Sequence, residues 1–399
     1  MESKSPLDNR LRKNFVAIGV FVLIMATVLW MLSPGNMERR LARNLPPDDL
    51  EKNSRIRPGE PVEFRVDPLV DAEYFPRLLA DLTAARESID VLMFEIKLGK
   101  LAANPANRLV QALVDAHQRG AAVHVRLEQS ETDHANTRTN RHTAEYLSAQ
   151  GINPAFDSLD VETHGKAVLI DGRILYVGNH NWSQASLTEN KEVSLRVESP
   201  RVLSTLHRYF DRFDRRMKDI RQLSGRAVAG SEAWAADGVF DVAFLSNEEY
   251  LPVLRETIRR AKQRIDIQMY LIRPGLSDYN PVKTIFAELG DARKRGVQVS
   301  VLFDSHFAED NSAAKEQLRR EGVWDVRFDD ENVTNHRKMV MIDDETVIVG
   351  SQNWSISALA ASNETAVYVN NRRVAETLKK KLSAAPVNPH QHHHEYGNE

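Results

Sequence analysis

The chain is 399 residues long, enough for two ordinary domains or one large duplicated one around a sizeable core. Its 53 lysines and arginines against 56 aspartates and glutamates leave a formal net charge of −3, so it lacks the global positive field that marks an obligate nucleic-acid binder. It contains no cysteine, which removes thiolate nucleophiles, disulfide frameworks and cysteine-based zinc sites.

The first feature along the chain is Phe15 to Leu32, an apolar run without a charged residue and long enough to cross a bilayer as a helix. Ser33-Pro34-Gly35 fits a signal-peptidase site poorly, so residues 15–32 are predicted to be a retained single-pass anchor rather than a cleaved leader. Lys4, Arg10, Arg12 and Lys13 precede the run and Arg39, Arg40 and Arg43 follow it; the balance leans toward an inside N-terminus, with everything after residue 33 extracytoplasmic. Residues 33–62, with Pro46-Pro47, Pro58 and Pro61, read as a polar linker.

Beyond the linker one order of elements occurs twice, over residues 63–222 and 238–386. Ala84-Ala85-Arg86 leads into Ile89–Phe94 in the first half and Arg259-Arg260-Ala261 into Ile265–Tyr270 in the second, each a helix feeding a strand. Next, Ala116–Gly120 and Ala292–Gly296 read as a helix end with a glycine stop before another apolar strand. A third helix reaches Gly151 and Gly322; the polar runs Glu131–His142 and Ala308–Lys315 are expected to be rim loops. Between the halves, Val202, Leu206, Tyr209, Phe210, Phe213, Met217 and Ile220 recur at helical spacing, while Arg208, Arg212, Arg215 and Arg216, interleaved with Asp211, Asp214 and Asp219, give a solvated face. Ser224–Gly238 is the connector, and residues 387–399, with His390, His392, His393 and His394, read as a disordered tail. Strands alternating with helices predict an α/β fold: two repeated α/β/α sandwich halves with mixed sheets, plus the N-terminal transmembrane helix.

Each half contains the same constellation. His164-Gly165-Lys166 is followed by Asp171, Gly178 and Asn181, and His336-Arg337-Lys338 by Asp343, Gly350 and Asn353 at the same offsets, each copy continuing with Trp-Ser. Lys166–Gly178 and Lys338–Gly350 are two apolar strands joined at Asp-Gly or Asp-Asp, a hairpin pattern. Residues two apart on a strand share a face, so His and Lys project together from a strand end and the hairpin brings Gly and Asn back beside them. Two halves about a pseudo-twofold axis would place two imidazoles, two ammoniums and two carboxamides around one small anion. That set suits a phosphodiester: lysines and carboxamides stabilise the charge gained by the equatorial oxygens, one histidine attacks phosphorus and the other protonates the leaving oxygen.

The duplicated pattern resembles the phospholipase D superfamily, across most of the chain. The resemblance implies His164 and His336 as nucleophile and acid, with His164 favoured as the attacking group. It further implies Lys166, Lys338, Asn181 and Asn353 as phosphate ligands, Glu192 and Glu364 as carboxylates that orient the histidines, and no metal or other cofactor. Asp171 and Asp343 belong to the motif but, at the hairpin tips, look turn-forming. Two departures stand out: Asn179 occupies a position that is usually small and is expected near the phosphate, and Ser362 replaces the counterpart of Asn190, with the loss of one polar contact expected. The expected substrate is a phospholipid at the membrane surface. A nuclease of the same superfamily and a cardiolipin synthase-like phosphatidyltransferase are the alternatives. No obligate protein partner is implied, since one chain completes the site.

Overall fold

The computed structural model describes residues 64–130, 132–159, 161–218, 241–275, 280–329 and 332–384. The expected anchor, linker, connector and tail (15–32, 33–62, 224–238 and 387–399) lie outside the described residues, among which no helix is long and apolar enough to cross a membrane.

The first half runs β1 (Arg65–Val70), α1 (Tyr74–Ala84), β2 (Ser88–Met93), α2 (Pro105–Gln118), β3 (Ala122–Leu127), α3 (His134–Ala149), β4 (Ala155–Phe156), β5 (Lys166–Ile170), β6 (Ile174–Gly178), α4 (Gln184–Thr188), β7 (Val193–Glu198) and α5 (Pro200–Lys218). The second repeats it as β8 (Val242–Ser246), α6 (Tyr250–Arg260), β9 (Arg264–Met269), α7 (Pro281–Lys294), β10 (Gln298–Phe303), α8 (Ala308–Arg320), β11 (Asp325–Phe328), β12 (Lys338–Ile342), β13 (Thr346–Gly350), α9 (Ile356–Ala360), β14 (Thr365–Asn370) and α10 (Arg372–Ala384). Each half folds a seven-stranded sheet of identical order, β1-β7-β6-β5-β2-β3-β4 and β8-β14-β13-β12-β9-β10-β11. The β2-β3-β4 and β9-β10-β11 pairings are parallel and the rest antiparallel, giving the mixed sheets that the alternation of elements predicts.

Each half packs an apolar core of its own between one sheet face and its helices. The other face of each sheet is buried against its counterpart: Ala167, Leu169, Val177 and Leu195 share a core with Met339, Val349 and Val367. The long helices cross over to close this interface. Tyr209 of α5 stands 5.7 Å from the Phe244 ring of β8, and Lys381 of α10 donates to the Pro68 carbonyl in β1 at 2.8 Å. The apolar stripe on α5 is buried as its spacing requires, at Val202, Leu206, Tyr209, Phe210 and Phe213.

Of the polar runs expected to be rim loops, residues 134–142 lie instead in helix α3 and residues 308–315 in helix α8. The few polar residues that turn inward serve backbone: Asn140 accepts from Ile96 N–H and donates to the Phe94 and Glu128 carbonyls, at 3.0, 2.8 and 2.9 Å. Asn311 does the same for Ile272, Tyr270 and Asp304. Side-chain amides here replace a missing ladder partner for the loops that follow β2 and β9.

Candidate active site

The two H-x-K segments meet at the interface between the halves. Lys166 opens β5 and Lys338 opens β12, and each histidine just ahead is tied to the other half: His164 N–H donates to the Asn363 carbonyl and His336 N–H to the Lys191 carbonyl, both at 2.9 Å. Carboxylates at the ends of β3 and β10 hold the preceding residues. Asp304 accepts Asn335 N–H at 2.6 Å and Glu128 accepts Thr163 N–H; burial and the nearby Asp157 push the Glu128 carboxyl up to about 11.

The glutamates are exchanged between the halves. His164 Nδ1 lies 3.2 Å from Glu364 Oε2, and His336 Nδ1 lies 2.8 Å from Glu192 Oε2. Both carboxylates are fully buried, and both histidines are 8 % exposed. A hydroxyl supports each glutamate, from non-equivalent places: Ser186 on α4 donates to Glu192 Oε1 at 2.7 Å, whereas Ser351 donates to Glu364 Oε2. Neither half therefore contains a complete histidine–carboxylate pair.

The lysines lie between the histidines' carbonyls and two aromatic rings. Lys338 Nζ donates to the His336 carbonyl at 2.9 Å and sits 4.6 Å from the Tyr270 ring; Lys166 Nζ donates to the His164 carbonyl and sits 4.7 Å from Phe94. The same rings meet the imidazoles edge-on, Phe94 with His164 at 4.8 Å and Tyr270 with His336 at 4.6 Å. Burial outweighs the neighbouring glutamates and pulls the Lys166 ammonium down to about 8, and it pulls Lys338 well below its ordinary value, with Lys166 adding repulsion. His336 is also held well below its ordinary value, by burial first and then by Lys338, Lys166 and His164. Asn181 and Asn353 each present a carboxamide whose Oδ1 is buried without a partner. Such a cluster of desolvated lysines and imidazoles gains stability from an anion that supplies counter-charge.

A sequence profile described as "Cardiolipin synthase, PLD-like domain" matches residues 78–213 and 254–385, one segment in each half. The chain belongs to the phospholipase D superfamily. Among its relatives in this superfamily is a phospholipase D of Rickettsia prowazekii, 30 % identical over 122 residues, 31 % of this chain and 55 % of that protein. Cardiolipin synthase B of Salmonella typhi is 22 % identical over 340 residues, 79 % of this chain and 78 % of that one. The chain spans about half the length of the first curated relatives it matches. In fold it is similar to phosphatidylserine synthase of Haemophilus influenzae, with a TM-score of 0.63 at 10 % identity over 87 % of this chain and 90 % of that one.

The superfamily motif is longer than the cluster it builds. Asp171 and Asp343 stand at the far ends of β5 and β12, five residues and so roughly 17 Å from the lysines. There Asp171, in a positive-φ turn, accepts Arg86, Glu87 and Ser88 N–H, and Asp343 accepts Lys262, Gln263 and Arg264 N–H, at 2.7–3.1 Å. Each aspartate ties its hairpin tip to the turn entering β2 or β9. The motif glycines let β6 and β13 approach their neighbours: a Cβ on Gly178 would sit 2.4 Å from Ser194 Cα, and one on Gly350 2.8 Å from the Thr365 carbonyl.

Both expected departures resolve differently from the sequence reading. Asn179 is fully buried and occupied by backbone, donating to the Gly350 carbonyl and accepting Val193 and Lys338 N–H at 3.2 Å. It ties β6 to the opposite hairpin instead of narrowing a phosphate pocket. Ser362 keeps a polar contact, donating to Glu162 of the first half at 3.2 Å.

Proposed function

We propose that this chain cleaves phospholipid phosphodiester bonds through a phosphohistidine intermediate, one of His164 and His336 serving as nucleophile and the other as acid, with Lys166, Lys338, Asn181 and Asn353 as phosphate ligands. The exchanged histidine–glutamate pairs carry this reading: each imidazole has Nδ1 engaged by a buried carboxylate, which leaves Nε2 as the reactive nitrogen. Asp171 and Asp343 act through the fold. The two lysine ammoniums beside the imidazoles favour an anion over a cation at this site, in keeping with a reaction carried by the side chains. The uncharged run Phe15–Leu32 supports a membrane anchor that keeps the site beside its lipid. A second reading has an alcohol in place of water as the final acceptor, supported by the match to cardiolipin synthase B, which is aligned over most of both chains.

The test is to mix the full chain, in chelator, with phosphatidylglycerol or phosphatidylcholine vesicles, with glycerol present or absent, and separately with single-stranded DNA. Release of headgroup with phosphatidate is expected, and a glycerol-dependent phosphatidyl product would select the transfer reading. Degradation of DNA with no action on either lipid would overturn the lipid assignment.

A further inference from the structure

The pseudo-symmetry makes the two histidine environments directly comparable, and they are unequal. At His336 the facing oxygen, Glu192 Oε2, has no other partner among the described residues, because Ser186 occupies Oε1. At His164 the longer contact goes to Glu364 Oε2, an oxygen that also receives the Ser351 hydroxyl.

The difference continues behind the glutamates. Asp71, at φ 53°, accepts Glu192 N–H on Oδ1 at 2.8 Å and donates its own N–H to the Glu192 carbonyl at 3.0 Å. Its carboxylate is gripped by Arg337 Nη2, at 2.7 and 2.9 Å. Arg337 is the middle residue of His336-Arg337-Lys338 and is 5 % exposed. The segment that carries the histidine therefore also holds the loop that fixes its glutamate. At the other end Asn247 takes the place of Asp71, accepting Glu364 N–H at 2.8 Å, and Gly165 takes the place of Arg337, so no ion pair forms.

We propose, resting on the phosphodiesterase reading above, that Asp71 and Arg337 are positioning residues that lock Glu192 onto His336 and thereby make His336 the nucleophile and His164 the proton donor. A nucleophilic imidazole must present Nε2 before the bond forms, and the cationic phosphoimidazolium that results needs an undivided carboxylate on Nδ1. His336 has both. The groups facing it are Glu192, Lys338, Lys166, His164 and the Tyr270 ring, and burial with those cations keeps it unprotonated at neutral pH. In the forward step the His336 Nε2 lone pair forms the N–P bond as the bond from phosphorus to the leaving oxygen breaks, and that oxygen takes the Nε2 proton of His164. In the second step water attacks phosphorus, its proton passes to His164, and the N–P electron pair returns to His336.

The test uses the full chain with ³²P-labelled bis(4-nitrophenyl) phosphate, an alkaline quench and peptide mapping of the bound label. Wild type is expected to carry label on His336 in excess of His164 by roughly tenfold or more. The double variant D71N/R337G copies the Asn247 and Gly165 arrangement already present in the other half; in it, label is expected on both histidines, a redistribution that simple loss of stability does not produce. Label on His164 in wild type overturns the assignment, and label confined to His336 in the double variant overturns the role of the ion pair. Absence of label from both histidines overturns the covalent reading itself.

Discussion

The two ends of the paired hairpins handle charge in opposite ways. Where β5 and β12 begin, Lys166, Lys338 and His336 are held below their ordinary values by burial first, with the neighbouring cations adding to it at Lys338 and His336. Where the same strands end, Asp171 and Asp343 each receive three backbone N–H groups; for Asp171 burial works upward, but the donors outweigh it and hold the carboxyl below the usual range. One end is short of counter-charge and the other is satisfied. A motif of fixed spacing can therefore join a binding end to a structural end, and the interval between lysine and aspartate records the length of a strand.

The largest effects should come from the unsatisfied end. Lys166→Met or Lys338→Met is expected to lower kcat/KM for a phosphodiester about 10²- to 10³-fold with the fold intact. In wild type the Lys166 ammonium, pulled down to about 8, is lost as pH rises through that value, so kcat/KM should fall on the alkaline side. A Lys166→Met enzyme as active as wild type, or a flat alkaline limb, would break the contrast between the two ends. Smaller effects are expected from the satisfied end. Asp171→Asn or Asp343→Asn should reduce stability by about 1–3 kcal/mol, seen as a lower Tm, while the folded protein keeps kcat/KM within about threefold. Because the Asp171 carboxyl is held low, its contribution is present at neutral pH and above, and is lost as pH falls through its depressed value. Loss of turnover without loss of stability would place these aspartates with the reacting groups after all.

The contrast also marks what was legible in the sequence. The repeat, the hairpins and the residues that open β5 and β12 follow from apolar alternation and fixed offsets, which local geometry imposes on any chain of this fold. Contacts made across the halves leave no such trace. Glu192 lies in the first half's sequence yet serves His336, and Asn179 looks like a substrate-facing departure yet spends its amide on Gly350 and Lys338. The first turns of helix α3 read as a loop because Asn136 and Asn140 are polar where a core face is expected; their burial is intelligible only once the carbonyl of Phe94 is in view. Phe94 and Tyr270 were within reach, as aromatic residues closing two equivalent strand runs, but their role depends on the imidazoles they meet.

The most direct measurement is the ¹⁵N NMR signal of each histidine's Nδ1, which reports its carboxylate partner without requiring turnover. Glu192→Gln is expected to shift His336 and leave His164 largely unchanged, and Glu364→Gln to do the reverse. If each substitution instead shifts the histidine of its own half, the glutamates are not exchanged, and the single site shared by the two halves is contradicted.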